Sequence, residues 1–338
     1  MTDRTFAWAV NMSAQSRRHL PNAMSAGLLL VFVAGSCLPF IVGSDSFLLV
    51  LLSHALIAGL VALSLDMLLG TTGLMSFGHG AWYGLGAYVA GIVAKTTSAD
   101  ILVCVATATL ITALLAAAIG AILVRQIGKA FAILTLALSQ IMYTAIFLAP
   151  DLTGGEDGLQ GIPVPTFFGH AITQFQTWYW ILYGCVTVAV IAALFIRRSP
   201  LGNAWAAVKE NQERAQFIGM NVTQLKLLSY VVSAALAGFA GALFAFFNGG
   251  ISPETLQWFE SGKILMCVIL GGVGTFIGPV LGGMVFTLAQ HYISSISNAW
   301  LIYFGILMIG LVLFAPKGIH GIWIAATSRI RNASGALR

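Results

Sequence analysis

Residues 46–69 read SFLLVLLSHALIAGLVALSLDMLL, an apolar run that contains a single acidic residue, Asp66. About 20 consecutive apolar residues are enough for a helix to cross the hydrocarbon core of a bilayer. Runs of similar length and composition recur along the chain, near residues 24–42, 74–94, 101–124, 130–149, 176–196, 227–248, 264–290 and 299–316. Because every backbone N–H and C=O group in lipid must pair internally, these runs predict helices.

The overall composition excludes other classes of protein. Of the 338 residues, 59% are apolar and only 8% are charged, whereas a soluble domain is about one quarter charged. Disordered chains are polar and rich in charge, and a transmembrane barrel would show short alternating segments. We therefore predict an all-α polytopic membrane protein in contact with the lipid bilayer.

The basic residues indicate the orientation in the membrane. If the N-terminus lies in the cytoplasm and the spans alternate, 14 of the 16 Lys and Arg residues are cytoplasmic. Lys95 and Lys263 fall outside, together with acidic residues such as Glu254 and Glu260. This distribution follows the positive-inside rule. The net charge of +5 is thus explained by topology, and we expect no nucleic-acid partner.

Nine apolar runs cannot leave both termini in the cytoplasm, so one run must be divided. The run at 264–290 is interrupted by GGVGTFIGP at 271–279, and Gly and Pro together break a helix. Two short spans or a re-entrant hairpin would restore parity, and two spans give about 10 transmembrane helices. We expect residues 1–23 to be a cytoplasmic segment, 24–322 the transmembrane domain and 323–338 a cytoplasmic basic tail.

A second glycine-rich stretch, GTTGLMSFGHG at 70–80, lies at or near membrane depth. Discontinuous helices often line transport sites, although small residues also serve tight helix packing. The two breaks supply the candidates for a translocation path. These are Ser76, Phe77, Gly78, His79, Gly271, Gly272, Gly274, Thr275 and Pro279.

Three ionisable residues fall within the apolar runs, where polar side chains must face protein or water. For His79 we expect a hydrogen bond between helices, with a proton relay as the alternative. For Asp66 we expect an interhelical or capping hydrogen bond, with an ion site as the alternative. His54 is too far from Asp66 along the same helix to touch it.

Two polar segments connect the runs. The outer segment 150–175 is acidic and rich in turn formers. It is either a solvated linker or a receptor for a partner or substrate, with Thr153, Gly154, Gly155 and Asp157 as its candidate residues.

The cytoplasmic segment 197–226 predicts a pair of short amphipathic helices. Ser199 is placed to cap a helix that begins at Pro200, and Gly219 is placed to end one. Trp205 and Val208 share an apolar face. That face would lie at the lipid interface or dock in a groove of a partner.

Five stretches, in this order, resemble the integral membrane permease of branched-chain amino-acid ABC importers, LivM type. They are LLGTTGLMSFGHGAWYGLGAY (68–88), LAPDLTGGEDGLQGIP (148–163), RSPLGNAWAAVKENQERAQFIGMN (198–221), SAALAGFAGAL (233–243) and LGGVGTFIGPVLGG (270–283). The resemblance extends from about residue 45 to residue 322.

The resemblance implies a subunit of an ATP-driven importer in the bacterial inner membrane. Its partners would be a second homologous permease, two cytoplasmic ATPase subunits and a periplasmic substrate-binding protein. The segment 197–226 would be the coupling loop that binds the ATPase, and Glu213-Arg214-Ala215 before Gly219 partly matches the Glu-Ala-Ala and Gly pattern of importer loops. The candidate coupling residues are Trp205, Lys209, Glu210, Glu213, Arg214, Ala215 and Gly219.

Nothing in the sequence predicts chemistry within this chain. It contains no nucleotide-binding loop, nucleophile motif or metal-ligand spacing, so we expect no catalytic residue, metal or cofactor, and ATP hydrolysis by the partners. Two alternatives remain. Related permeases serve urea or short amides, and an ion-coupled secondary transporter could use only Asp66, His54 and His79.

Overall fold

The computed structural model describes residues 46–126, 128–296, 299–314, 318, 319 and 321, together with Gly35. The expected N-terminal segment 1–23, the apolar run at 24–42 apart from Gly35, and the expected basic tail 323–338 lie outside the described residues.

The described part of the chain is mainly helical, as predicted. Its helices are α1 (Ser46–Thr72), α2 (His79–Thr96), α3 (Ile101–Leu123), α4 (Lys129–Phe147), α5 (Pro150–Thr153), α6 (Phe175–Arg198), α7 (Pro200–Glu210), α8 (Gln212–Phe217), α9 (Val222–Asn248), α10 (Trp258–Gly271), α11 (Ile277–Ile296) and α12 (Trp300–Phe314). Among the described residues, five helices are long and apolar enough to cross a membrane: α1, α3, α4, α6 and α9.

The outer segment 150–175 has its own structure. It contains α5, a 3-10 turn at Gly155–Asp157 and the short strands β1 (Leu159–Gln160), β2 (Thr166–Phe167) and β3 (His170–Ala171). β2 and β3 form a hairpin, while β1 pairs antiparallel with β4 (Gly250–Ile251), which follows α9. Part of the segment is therefore folded against a distant part of the chain, while most of its residues are exposed.

Helix α1 lies in the interior of the described structure. It packs against α6, α9, α10 and α11, and Leu60, Leu63 and Leu65 on it are completely buried. A helix that is apolar on all sides has no preferred solvent face, which suits this central position.

Helix α9 approaches α2 closely because small residues lie between the two backbones. A Cβ atom added at Gly86 of α2 would fall on the backbone of Gly238, and one added at Gly241 of α9 would fall on the carbonyl of Tyr83. Small residues allow this kind of contact between membrane helices. Tight helix packing therefore explains part of the glycine content.

The predicted break between residues 271 and 279 is present, and it is shorter than the sequence indicated. α10 ends at Gly271 and α11 begins at Ile277. Gly278 and Pro279 belong to the first turn of α11, where a proline costs no helical hydrogen bond. The 14 residues of α10 rise by about 21 Å, which is less than the roughly 30 Å of a hydrocarbon core.

Candidate functional site

The first break joins α1 to α2, and it leads the chain back alongside the last turns of α1. α1 ends at Thr72, residues 73–78 are not helical, and α2 begins at His79. The Nε2 atom of His79 lies 2.7 Å from Ser64 Oγ. Because Ser64 is eight residues before the end of α1, the start of α2 lies about 12 Å back along that helix. The expected interhelical hydrogen bond of His79 is confirmed.

The backbone of this break is held by side chains from other helices. Phe77 N donates to Thr135 Oγ1 of α4 at 3.0 Å, and Gly80 N donates to Ser261 Oγ of α10 at 2.8 Å. Ser76 is buried and accepts from Gly78 N at 3.3 Å. Irregular backbone at membrane depth is tolerated where it lies within protein or lines a cavity.

A cavity of about 520 Å³ adjoins the first break. One wall is formed by the break itself, with Leu74, Met75 and Phe77, and the other by the start of α4, with Lys129 and Ile133. Of the predicted path residues 76–79, Phe77 lines this cavity. Ser76, Gly78 and His79 are buried.

The second break binds the one acidic residue of α1. Gly274 N donates to Asp66 Oδ1 at 2.6 Å, although 208 positions separate the two residues. Within the break, Thr275 Oγ1 donates to Gly272 O at 2.7 Å. The expected interhelical hydrogen bond of Asp66 is confirmed, and its donor is a backbone amide of the glycine break.

Arg197, at the end of α6, completes this cluster. Its Nη1 lies 3.6 Å from Asp66 Oδ2, and its Nη2 donates to Gly274 O. The guanidinium also lies over the ring of Phe276, 5.4 Å from the centroid. The sequence interpretation used Arg197 only as a topology marker. Asp66 and Arg197 both lie near the C-terminal ends of their helices, and this shared placement was the available signal for a pair.

The second break and helix α7 both reach the end of α1, just before the first break begins. Lys209 Nζ of α7 donates to Gly70 O at 2.8 Å. A Cβ added at Gly274 would lie 3.5 Å from the same oxygen. The structure therefore brings residue 274 of one break and the start of the other to the same end of α1, together with one predicted coupling residue.

The apolar face of α7 is covered by the chain itself. Trp205 is fully buried, and its Nε1 donates to Leu225 O at 2.8 Å. Val208 packs in a cluster with Ala215 and Val222. Neither the lipid interface nor a partner's groove receives this face, so both alternatives for it were wrong.

The caps of these two helices follow the sequence only in part. Pro200 is the first residue of α7 and Ser199 is its N-cap, but the Ser199 hydroxyl donates to Ile196 O and caps no amide. Asn211 accepts from Arg214 N and caps α8 instead. Gly219, with φ of +87°, follows the end of α8 in the left-handed region, as a helix stop requires.

The tip of the loop, around α8, exposes two large apolar side chains. Phe217 is 89% exposed and Ile218 is 68% exposed. Five of the predicted coupling residues are exposed, namely Lys209, Glu210, Glu213, Arg214 and Gly219, whereas Trp205 and Ala215 are buried. The tip thus presents apolar and charged groups together.

The predicted residues of the outer segment have structural contacts. Thr153 is buried, and its hydroxyl donates to Ile146 O at 2.6 Å and to Ala149 O at 2.8 Å. Gly154 and Gly155 have positive φ, which glycine adopts at little cost. Asp157 is exposed. These contacts shape a turn after α4, and a substrate role for the residues stays a prediction.

An ion pair at the start of α10 was missed from the sequence. Lys263 and Glu260, one turn apart, are paired, and each side chain is about one quarter exposed. The Lys263 ammonium also lies 5.6 Å from the centroid of Phe259. Within the described residues, no group of three or more His, Cys, Asp and Glu side chains could hold a metal ion.

Comparison with known proteins gives a consistent result. Residues 47–316 match the family described as branched-chain amino acid transport system / permease component. The high-affinity branched-chain amino acid transport system permease protein LivM of Salmonella typhimurium is 28% identical over 315 residues, covering 86% of this chain and 74% of that protein. LivM of Escherichia coli is 27% identical over the same coverage. The permease protein LivH of Escherichia coli is 27% identical over 294 residues, covering 78% of this chain and 90% of LivH.

Proposed function

The chain belongs to the family of branched-chain amino acid transport permease components, and from this we propose that it is the transmembrane subunit of an ATP-driven importer. Its cargo would be branched-chain or related hydrophobic amino acids, moved into the cytoplasm. The match over most of the chain carries this proposal. The chain is a multi-pass membrane protein of a transport family, and ATP hydrolysis would be supplied by its partners.

The proposed topology has about 10 spans with both termini in the cytoplasm. In this arrangement α10 and α11 form the divided pair on either side of the break at 272–276. Residues 1–23 and 323–338 would be cytoplasmic, 24–322 would form the permease domain, and 150–175 would face the periplasm. The positive-inside distribution of Lys and Arg supports this orientation.

The proposed assembly contains a second homologous permease, two cytoplasmic ATPases and a periplasmic binding protein in the bacterial inner membrane. Similarity of this chain to both LivM and LivH proteins supports pairing of related permeases. Exposed apolar side chains on α4, such as Ile133 and Ile141, would face that partner or lipid.

We assign the coupling loop to residues 197–226, with its tip as the surface that binds the ATPase. Phe217 and Ile218 would form the apolar centre of the contact and Glu213 and Arg214 its charged edge. The loop is rigidly connected to the membrane helices, because Trp205 is buried and Lys209 bonds the last turn of α1. A displacement of the tip by the ATPase would therefore be transmitted to the end of α1 through these contacts.

The same contacts lead from the loop to the second break. Arg197 begins the loop and bonds Gly274, and Asp66 bonds the same residue from α1. We therefore place the moving part of the translocation path at the two breaks, where α1, α2, α10 and α11 meet. Movement of α7 would change the position of residues 272–276 through these hydrogen bonds.

An ion-coupled secondary transporter is the less favoured function. Its candidate residues already have structural partners: Asp66 bonds Gly274, His79 bonds Ser64, and His54 packs edge-on against the rings of Phe244 and Phe247. Permeation of urea or short amides is the other alternative function, and competition by urea and acetamide in an uptake experiment distinguishes it from amino-acid import.

Uptake in intact cells distinguishes these functions. Cells that express the complete transporter should accumulate labelled leucine, and depletion of ATP should abolish accumulation while dissipation of the proton and sodium gradients should not. Unlabelled leucine should compete, and urea and acetamide should not. Accumulation that persists without ATP and stops without an ion gradient would identify a secondary transporter.

A further inference from the structure

A row of glycines on α2 allows the segment 250–261 to pack closely along that helix. A Cβ at Gly91 would contact Ile251 of β4, one at Gly84 would contact Leu256, and one at Gly80 would contact Glu260 and Ser261. The chain from residue 250 to residue 261 therefore descends along α2. Gly91 and Gly80 are eleven residues apart, which is about 16 Å of helix rise.

Residues 260 and 261, at the end of this segment, pack against the start of α2 in the interior of the protein. Gly80 follows His79, whose ring bonds Ser64 about 12 Å from the end of α1. Gly80 N also donates to Ser261 Oγ. Glu260 and Lys263, which the sequence interpretation placed outside the membrane, thus lie alongside the beginning of α2, well below β1 and β4.

Charged groups at this depth cannot face acyl chains at low cost. The side chains of Glu260 and Lys263 remain 25% and 23% exposed. This face of α10 must therefore be covered by water or by another protein surface. The neighbouring Trp258 and Phe259, which are 51% and 37% exposed, add an apolar area beside the charges.

We propose that Glu260 and Lys263 form a binding subsite for the zwitterionic head of the transported amino acid. Glu260 would bind the α-ammonium group and Lys263 the α-carboxylate, while Phe259 and Trp258 contact the apolar side chain. This subsite rests on the proposed importer function and specifies which charges on the cargo are recognised inside the membrane.

The chemistry of the pair fits a zwitterion better than other cargo. One acid and one base, one helical turn apart, have no net charge and match the two opposite charges of an α-amino acid. A cation or an anion alone would leave one member unpaired, and urea carries no charge to exchange for the ion pair.

Three variants test the subsite in the complete transporter. E260M/K263M removes both charges and leaves neither unpaired, so the protein should reach the membrane in normal amounts. Its kcat/KM for leucine uptake should fall about tenfold or more, as expected for lost hydrogen bonds to charged groups. ATP hydrolysis stimulated by the leucine-loaded binding protein should continue. The matched control E254Q changes an exposed acid of the 3-10 turn at Pro253–Leu256, which precedes α10, and should retain uptake.

The exchange variant E260K/K263E separates a substrate role from a structural one. It keeps an ion pair but reverses the positions of the two charges, so a subsite predicts a raised KM for leucine at normal abundance. Full recovery of leucine uptake in the exchange variant, or unchanged uptake in E260M/K263M, would overturn the subsite alone. If the unmodified transporter imports urea or acetamide and not leucine, the importer function proposed above is wrong as well.

Discussion

Asp66 connects three parts of the chain through one buried carboxylate. Its side chain is fully buried, one oxygen accepts from Gly274 N, and the other lies 3.6 Å from Arg197. The second oxygen and Arg197 Nη1 have no hydrogen-bond partner among the described residues. Asp66 and Arg197 thus attract each other electrostatically without a direct hydrogen bond between these two atoms. Each charge is stabilised by the opposite charge of the other residue.

Removal of one charge should therefore cost more than removal of both. D66N and R197Q each leave an uncompensated charge, and breaking a buried pair costs about 3–5 kcal/mol. Because Arg197 is 23% exposed, we expect the lower end of that range. The double variant D66N/R197Q should recover part of the loss. Thermal unfolding of the purified protein in detergent, compared among the three variants, measures these differences.

The neighbouring Arg198 provides the control for this cycle. It is exposed and lies at the same end of α6, so R198Q should unfold at the temperature of the unmodified protein. Equal destabilisation by R198Q and R197Q, or a double variant that shows the full sum of the single losses, would contradict a coupled pair.

At the scale of elements, α7 and α8 have different surroundings although they are adjacent in sequence. α7 buries Trp205 and bonds α1 through Lys209, whereas the end of α8 exposes Phe217 and Ile218. α7 thus packs against the membrane-crossing helices, whereas the end of α8 is exposed. Exposed apolar groups of this kind mark interaction sites.

Replacement of the exposed pair should weaken ATPase binding without unfolding the permease. F217S/I218S removes apolar area that the described structure does not bury, so abundance and thermal stability should be retained. Recovery of the ATPase with the affinity-tagged permease should fall about tenfold, in line with the loss of two apolar anchors.

A matched apolar residue on the outer segment provides the comparison. Phe168 of the β2–β3 turn is 73% exposed, and F168S should leave ATPase recovery unchanged. If F217S/I218S and F168S recover the ATPase equally, the end of α8 is not the docking surface.

The sequence predicted helices well because lipid imposes one solution on an apolar segment. Runs such as 46–69 and 227–248 became α1 and α9, glycines marked both helix breaks, and a proline accompanied the second. Contacts between distant residues could not be read from the sequence. The Gly274–Asp66 bond, the inward face of Trp205 and the depth of Glu260 depend on how helices pack.

At the scale of the molecule, the two breaks, the loop and the ion pair on α10 form one connected region around α1 and α2. The cluster of Asp66, Arg197 and Gly274 joins the loop to one break, and Ser261 joins α10 to the other. ATPase motion at the loop would therefore reach both breaks. We propose that this chain is the membrane subunit through which ATP hydrolysis drives import of amino acids.

Reconstitution from purified parts tests that claim most directly. Proteoliposomes with this permease, its partner permease and both ATPases would enclose ATP, with the binding protein and labelled leucine added outside. We predict accumulation of leucine in the lumen that requires ATP and is lost when this chain is omitted. Equal accumulation without ATP, or without this chain, would contradict the account.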